Sequence, residues 1–134
     1  MTAGAGGETP REQAHHVSDP LIEVDVATEL TTLRGSDSYR AANHAAKTIA
    51  KQPGIRVVLI AFKPGGRMDE HRAIAAITVH ALEGEVEFVI GERATPLRRG
   101  GLLTVAAGVR HSVTAIDDAA LLLTIGGEPD SPAR

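Results

Sequence analysis

AITVHALEGEVEFVIG, residues 76–91, sets two short runs of alternating apolar and polar side chains on either side of the turn Glu83-Gly84-Glu85. Apolar residues at every second position mark a half-buried strand, and two such runs split by a tight glycine turn read as a hairpin. Ile77, Val79 and Ala81 make one apolar face, which leaves His80 on the opposite one.

The same form continues in both directions. Upstream lie the apolar strand IRVVLIAF (55–62) and the turn KPGGRMDE (63–70). Downstream come GERAT (91–95), LRRGGLLTVAAG (97–108), VRHSVTAI (109–116), the turn DDA (117–119) and ALLLTI (120–125). Short strands separated by turn signals every roughly 8–12 residues are the sequence form of an all-β sandwich or barrel. No 3.6-residue period competes with it.

Nearer the N-terminus the signals are mixed. LIEVDV (21–26) alternates like a half-buried strand, and ATELTTLRG (27–35) fits a short helix ended by Gly35. AANHAAKTIAKQ (41–52) is helical by propensity, yet it runs into the Pro53-Gly54 turn, so helix and strand both stay open. His44 falls in this segment and is assigned a surface or edge position. Residues 1–19 and 127–134 are rich in Gly, Pro and charge and read as disordered tails. The expected organisation is one barrel domain over 20–126 with a short N-terminal extension. The His15-His16 pair in the tail is read as solvated.

Composition narrows the function. The chain of 134 residues has Phe 2, Tyr 1 and Trp 0, so its core must come from Val, Ile, Leu and Ala. Few aromatics and a net charge of −3 leave neither a stacking platform nor a basic surface, which argues against nucleic acid. With Cys 0, disulfides, thiolate metal sites and a cysteine nucleophile are excluded. No apolar run approaches the ~20 residues of a membrane helix and the N-terminus has no signal-like apolar stretch, so no membrane and a cytoplasmic location are expected. Nucleophile-elbow and phosphate-loop motifs are missing.

Pro64-Gly65-Gly66 with Glu70-His71, HALEGEVEFVIG (80–91) and LRRGGLLTVAAGVRHSV (97–113) occur in an order and separation that resembles the cupins, specifically small single-domain bacterial members. The resemblance implies a double-stranded β-helix (jelly-roll) barrel, often dimeric, with a facial metal site of three histidines and a glutamate. It places His71 and His111 at one barrel mouth. The second histidine position holds Ala73, however, and the glutamate position holds Ile77. Two ligands are too few to hold a first-row divalent ion (Zn, Fe, Mn or Ni). Asp69, which has the parity of His71 along an extended strand, or Glu70 could supply a third.

The site expectation is therefore a small-molecule pocket around His71 and His111, walled by Ile77, Val79, Leu103, Val105, Val113 and Leu123. Arg110 beside His111 would orient a carboxylate, while Arg98 and Arg99 are read as surface. A divalent metal on His71, His111 and Asp69 accompanies the pocket in one version. The alternatives are a metal-dependent dioxygenase or isomerase and a non-catalytic dimeric sensor or scaffold. The partners expected are a small-molecule ligand and a second copy of the chain, since barrel edge strands need covering.

Overall fold

A computed structural model describes residues 20–127; the two tails assigned from sequence, Gly127 apart, lie outside the described residues, as does the His15-His16 pair. Nine strands form two antiparallel sheets. They are β1 (His44–Gln52), β2 (Ile55–Phe62), β3 (Arg67–His71), β4 (Ile77–Glu83), β5 (Glu85–Ile90), β6 (Arg93–Arg98), β7 (Leu102–Val105), β8 (His111–Ala115) and β9 (Ala119–Gly126). One sheet has the order β1-β2-β9-β4-β7 and the other β3-β8-β5-β6. The chain thus crosses repeatedly between sheets, as the jelly-roll expectation requires, and residues distant in sequence become neighbours.

The alternation read from residues 76–91 decides what fills the space between the sheets. Ile77, Val79 and Ala81 on β4 meet Val86 and Phe88 on β5, together with Ile60, Phe62, Leu97, Val105, Val113, Ala115, Ala119 and Leu121. Phe62 and Val86 have no exposed surface at all. Burying each such side chain contributes about 1.5–3 kcal/mol relative to exposure.

A second apolar cluster covers the outer face of the five-stranded sheet. Helix α1 (Val26–Arg34) is started by the Asp25 carboxylate, which accepts from Thr28 N–H, and ends at Gly35 as its sequence suggests. A short helix α2 (Asp37–Ala41) follows. Leu30, Leu33 and Tyr39 from these helices pack on Ala45, Ile49, Leu59, Ala61 and Ala120.

Two local expectations need correction and one open choice is settled. The segment read as the turn KPGGRMDE holds strand β3 from Arg67 onward. LIEVDV forms no strand: Asp25 is drawn off to cap α1. Its alternation still predicts burial, because Ile22, Val24 and Val26 are half-buried while Leu21, Glu23 and Asp25 are exposed. AANHAAKTIAKQ resolves as strand β1 from His44 onward, paired along its length with β2. Ladder pairing and burial of Ala45 and Ile49 against the helices outweigh the helical propensity of its alanines.

Candidate functional site

The turn Pro64-Gly65-Gly66 fixes where β3 begins. Gly65 has φ +79°, a left-handed conformation that glycine adopts freely. At Gly66 a Cβ would stand 2.3 Å from the Asn43 carbonyl oxygen, so no larger residue fits. Gly65 N–H donates to the Ala115 carbonyl at 2.9 Å and Ala115 N–H to that of Gly66 at 2.8 Å, which locks the turn to the end of β8.

From that anchor the register runs Arg67↔Thr114, Met68↔Val113 and then His71↔His111. Four residues of β3, Met68 to His71, are therefore matched against three of β8, Val113 to His111. Asp69 and Glu70 together face Ser112, a β-bulge. The extra residue resets the alternation, and both Met68 and His71 face the interior although they lie three positions apart.

The bulge brings the two imidazoles together, with ring centroids 4.3 Å apart and planes at 64°. Both rings are held in the same way. His71 Nδ1 lies 2.9 Å from the Asp69 carbonyl oxygen and His111 Nδ1 lies 3.0 Å from that of Val109. A carbonyl oxygen only accepts, so each Nδ1 carries a proton and, in the uncharged ring, each Nε2 keeps its lone pair. Phe88 stacks on His111 at 5.1 Å and 16°, fixing that ring's plane. His111 is 2 % exposed. Its pKa is lowered from 6.5 chiefly by burial, against the Val109 carbonyl, which raises it, while His71 adds a smaller lowering. At neutral pH His111 is an acceptor.

The rings border a cavity that leaves about 10 Å³ for the centre of a water-sized sphere. Met68, Phe88 and Val113 wall it from one sheet and Ile60, Ile77, Val79, Leu121 and Leu123 from the other. Ile77, Val79, Val113 and Leu123 were expected there. Leu103 and Val105 instead line a larger cleft of about 180 Å³ that Phe88 also borders. Phe88 and Met68 were missed. Counting by twos from Val86 would have placed Phe88 inside, whereas Met68 is hidden by the bulge.

The structure does not bring Asp69 to the histidines. Parity would have done so in an unbroken strand, but the bulge turns its carboxylate outward, 91 % exposed and paired with Arg67 at 3.0 Å. Glu70 is likewise on the surface, 3.8 Å from Arg110. Arg110, expected to orient a ligand, is the outward neighbour of inward His111, and its side chain is 58 % exposed. His80 sits on the outer face of β4 beside Leu102 and Leu122. His44 is on β1, where it stacks on Phe62 at 5.7 Å. Arg98 is committed to Glu85 at 3.3 Å.

These placements test the metal site that the motif pattern suggests. Ala73 packs against the core and Ile77 is buried within it, so apolar side chains fill both positions where further ligands would stand. Among the described residues no three His, Cys, Asp or Glu side chains are grouped to hold an ion. The donor set does not fit a resident divalent metal.

A sequence profile described as "Cupin domain" matches residues 58–126, just over half of the chain. The chain belongs to the cupin family. No curated protein matches it in sequence. Among solved structures, an RmlC-like cupin from Desulfovibrio desulfuricans is 26% identical with a TM-score of 0.61, over 84% of this chain and 97% of that one. A cupin-2 domain protein from Shewanella frigidimarina is 12% identical with a TM-score of 0.63, over 77% and 93%. Salicylate 1,2-dioxygenase from Pseudoaminobacter salicylatoxidans, in adducts with gentisate, is 16% identical with a TM-score of 0.73, over 84% of this chain and 35% of that one. The last two likenesses show a shared fold. No helix among the described residues of this cupin is long and apolar enough to cross a membrane.

Proposed function

We propose that this cupin binds a small molecule at the barrel mouth by accepting hydrogen bonds from it on Nε2 of His71 and Nε2 of His111, with no resident metal between protein and ligand. One observation carries the reading: both Nδ1 atoms are spent on backbone carbonyls, which leaves two Nε2 lone pairs beside an otherwise apolar cavity. An acceptor that borders an apolar cavity without a donor from the protein favours a ligand that brings one, so the pair supports occupancy by a donor group. About 10 Å³ of room is the size of one water, so a single hydroxyl or ammonium group enters while the rest of the ligand stays at the mouth. The lowered pKa of His111 favours a donor over an anion at neutral pH. Catalysis is not part of the proposal. A second copy of the chain is, since barrel edge strands need covering, and light scattering at the exit of a sizing column would read a dimer.

The test uses phenol as a hydroxyl probe. Nitrogen-15 spectra of the histidine rings should show Nδ1–H tautomers at both residues and a saturable shift of the Nε2 signals on titration, lost in His71→Ala and His111→Ala. Phenol that leaves both Nε2 signals in place refutes the binding mode. Metal content after purification without chelator should be well below one ion per chain; a stoichiometric ion lost in both variants refutes the metal-free part.

A further inference from the structure

The two sheets end side by side on β6 and β7, and no ladder joins these edges. Between them lies the cleft of about 180 Å³, which shares only Phe88 with the lining of the histidine cavity. Register explains its lining. Thr95 pairs with Phe88 and Arg93 with Ile90, so Arg93, Thr95 and the buried Leu97 share the inward face of β6. Leu103 and Val105 close the cleft from β7. Its floor is apolar, and its polar groups are the Arg93 guanidinium, the threonines Thr95 and Thr104 and the backbone of two unpaired edges.

Arg93 differs from five of the nine described arginines. Arg34, Arg40, Arg67, Arg98 and Arg110 each pair with a carboxylate. Arg93 has no hydrogen bond or ion pair among the described residues, although it borders a concave apolar surface. A guanidinium offers a planar fork of donors that matches a carboxylate bidentately. A cavity of about 150 Å³ is enough for benzene, so one ring or a chain of similar bulk fits above Phe88 and Leu103.

From these features we infer that the β6–β7 cleft is a second ligand site, distinct from the histidine pair, for a compact organic carboxylate: its acid group on Arg93 and its apolar body on Phe88, Leu103 and Val105. The apolar floor selects against bare anions, and Arg93 selects against neutral isosteres.

Backbone amide spectra recorded during titration with benzoate, benzamide or inorganic phosphate test this on the whole chain. Benzoate should give saturable shifts at Phe88, Ile90, Arg93, Thr95 and Leu103–Val105. Arg93→Gln should weaken it about tenfold or more, as loss of a charge-assisted pair implies. Arg99→Gln, which removes an exposed charge from the adjoining turn, should leave benzoate binding unchanged, and benzamide and phosphate should bind at least about tenfold more weakly. Absence of saturable shifts at the cleft, equal benzoate binding by Arg93→Gln, or phosphate as tight as benzoate would each overturn the inference. None of these readouts depends on the histidine rings, so the phenol experiment succeeds or fails on its own.

Discussion

Replacing Gly84 with alanine should cost far more than the same change at Gly91, and the difference measures how tightly the turns at one end of the barrel are joined. Both glycines have positive φ, +70° and +58°, which costs an alanine about 1–2 kcal/mol. Reduced freedom of the unfolded chain offsets about 0.4–1 kcal/mol at either position. A Cβ at Gly91 meets nothing within 4 Å. At Gly84 it would stand 2.1 Å from the Asp118 carbonyl oxygen and 2.7 Å from Asp117 Oδ1. One turn must therefore move. Glu85 N–H donates to that Asp117 oxygen at 2.8 Å and Arg99 N–H to the Gly84 carbonyl at 3.0 Å. Losing both bonds removes about 1 kcal/mol each. Gly84→Ala should thus exceed Gly91→Ala by about 2 kcal/mol, out of the 5–15 kcal/mol typical of a domain. Urea unfolding at neutral pH gives both values, with m-values required to agree. Equal destabilisation by the two variants would refute the claim that the Asp117-Asp118 turn confines Gly84.

Three further outcomes follow from the core and the site. Because burial lowers the His111 pKa below 6.5, the unfolded chain binds a proton before the folded one does; the stability due to the neutral ring is present above 6.5 and lost as pH falls through the folded value. Urea midpoints across pH 5–8 should show that limb in the wild type and a flatter one in His111→Gln; an unchanged limb would assign it to another group. Phe88 is 3 % exposed and borders both cavity and cleft, so Phe88→Ala should cost about 3–5 kcal/mol and free the His111 ring, visible as broadened ring signals; sharp signals would mean that Phe88 does not hold the ring. The Arg56 Nε is buried with no hydrogen-bond partner, and Arg56→Met, which keeps the stem and removes that group, should raise stability by about 1 kcal/mol in thermal unfolding; a lowered midpoint would show that the guanidinium is satisfied.

Beyond Arg56, β3 apart, where the bulge breaks the alternation and the segment reads as a turn, the strands were legible because one face of each is buried, and burial at alternate positions is written directly in the residue types. β1 was not, for a physical reason. Ala45 and Ile49 are the buried residues of that strand, and a spacing of four satisfies both a strand and a helix. Between them Lys47 faces the same side and ion-pairs with Glu29 at 2.7 Å, a partner visible only once the helix is in place. LIEVDV shows the complementary case, in which alternation foretold burial but could not foretell a missing ladder neighbour. At the site, the pairing of His71 with His111 came from motif order. Asp69 failed because parity counting assumes an unbroken strand, and a bulge leaves no mark in residue type. Phe88 carries no ligating group, and nothing in its residue type marks it as the ring that orients His111.

The extra residue in β3 separates two properties of His71 that would otherwise change together. Its address opposite His111 comes from the ladder. Which nitrogen it offers comes from the Asp69 carbonyl, set in place by the bulge. Deleting Glu70 would leave Met68 and His71 two residues apart, in ordinary phase and both still inward, but would move that carbonyl. The histidine is then expected to keep its neighbours and lose its fixed tautomer, which ring nitrogen-15 spectra would show as a mixture; one surviving tautomer would locate the control elsewhere. In this barrel, chain length at a surface-facing step governs the proton arrangement inside.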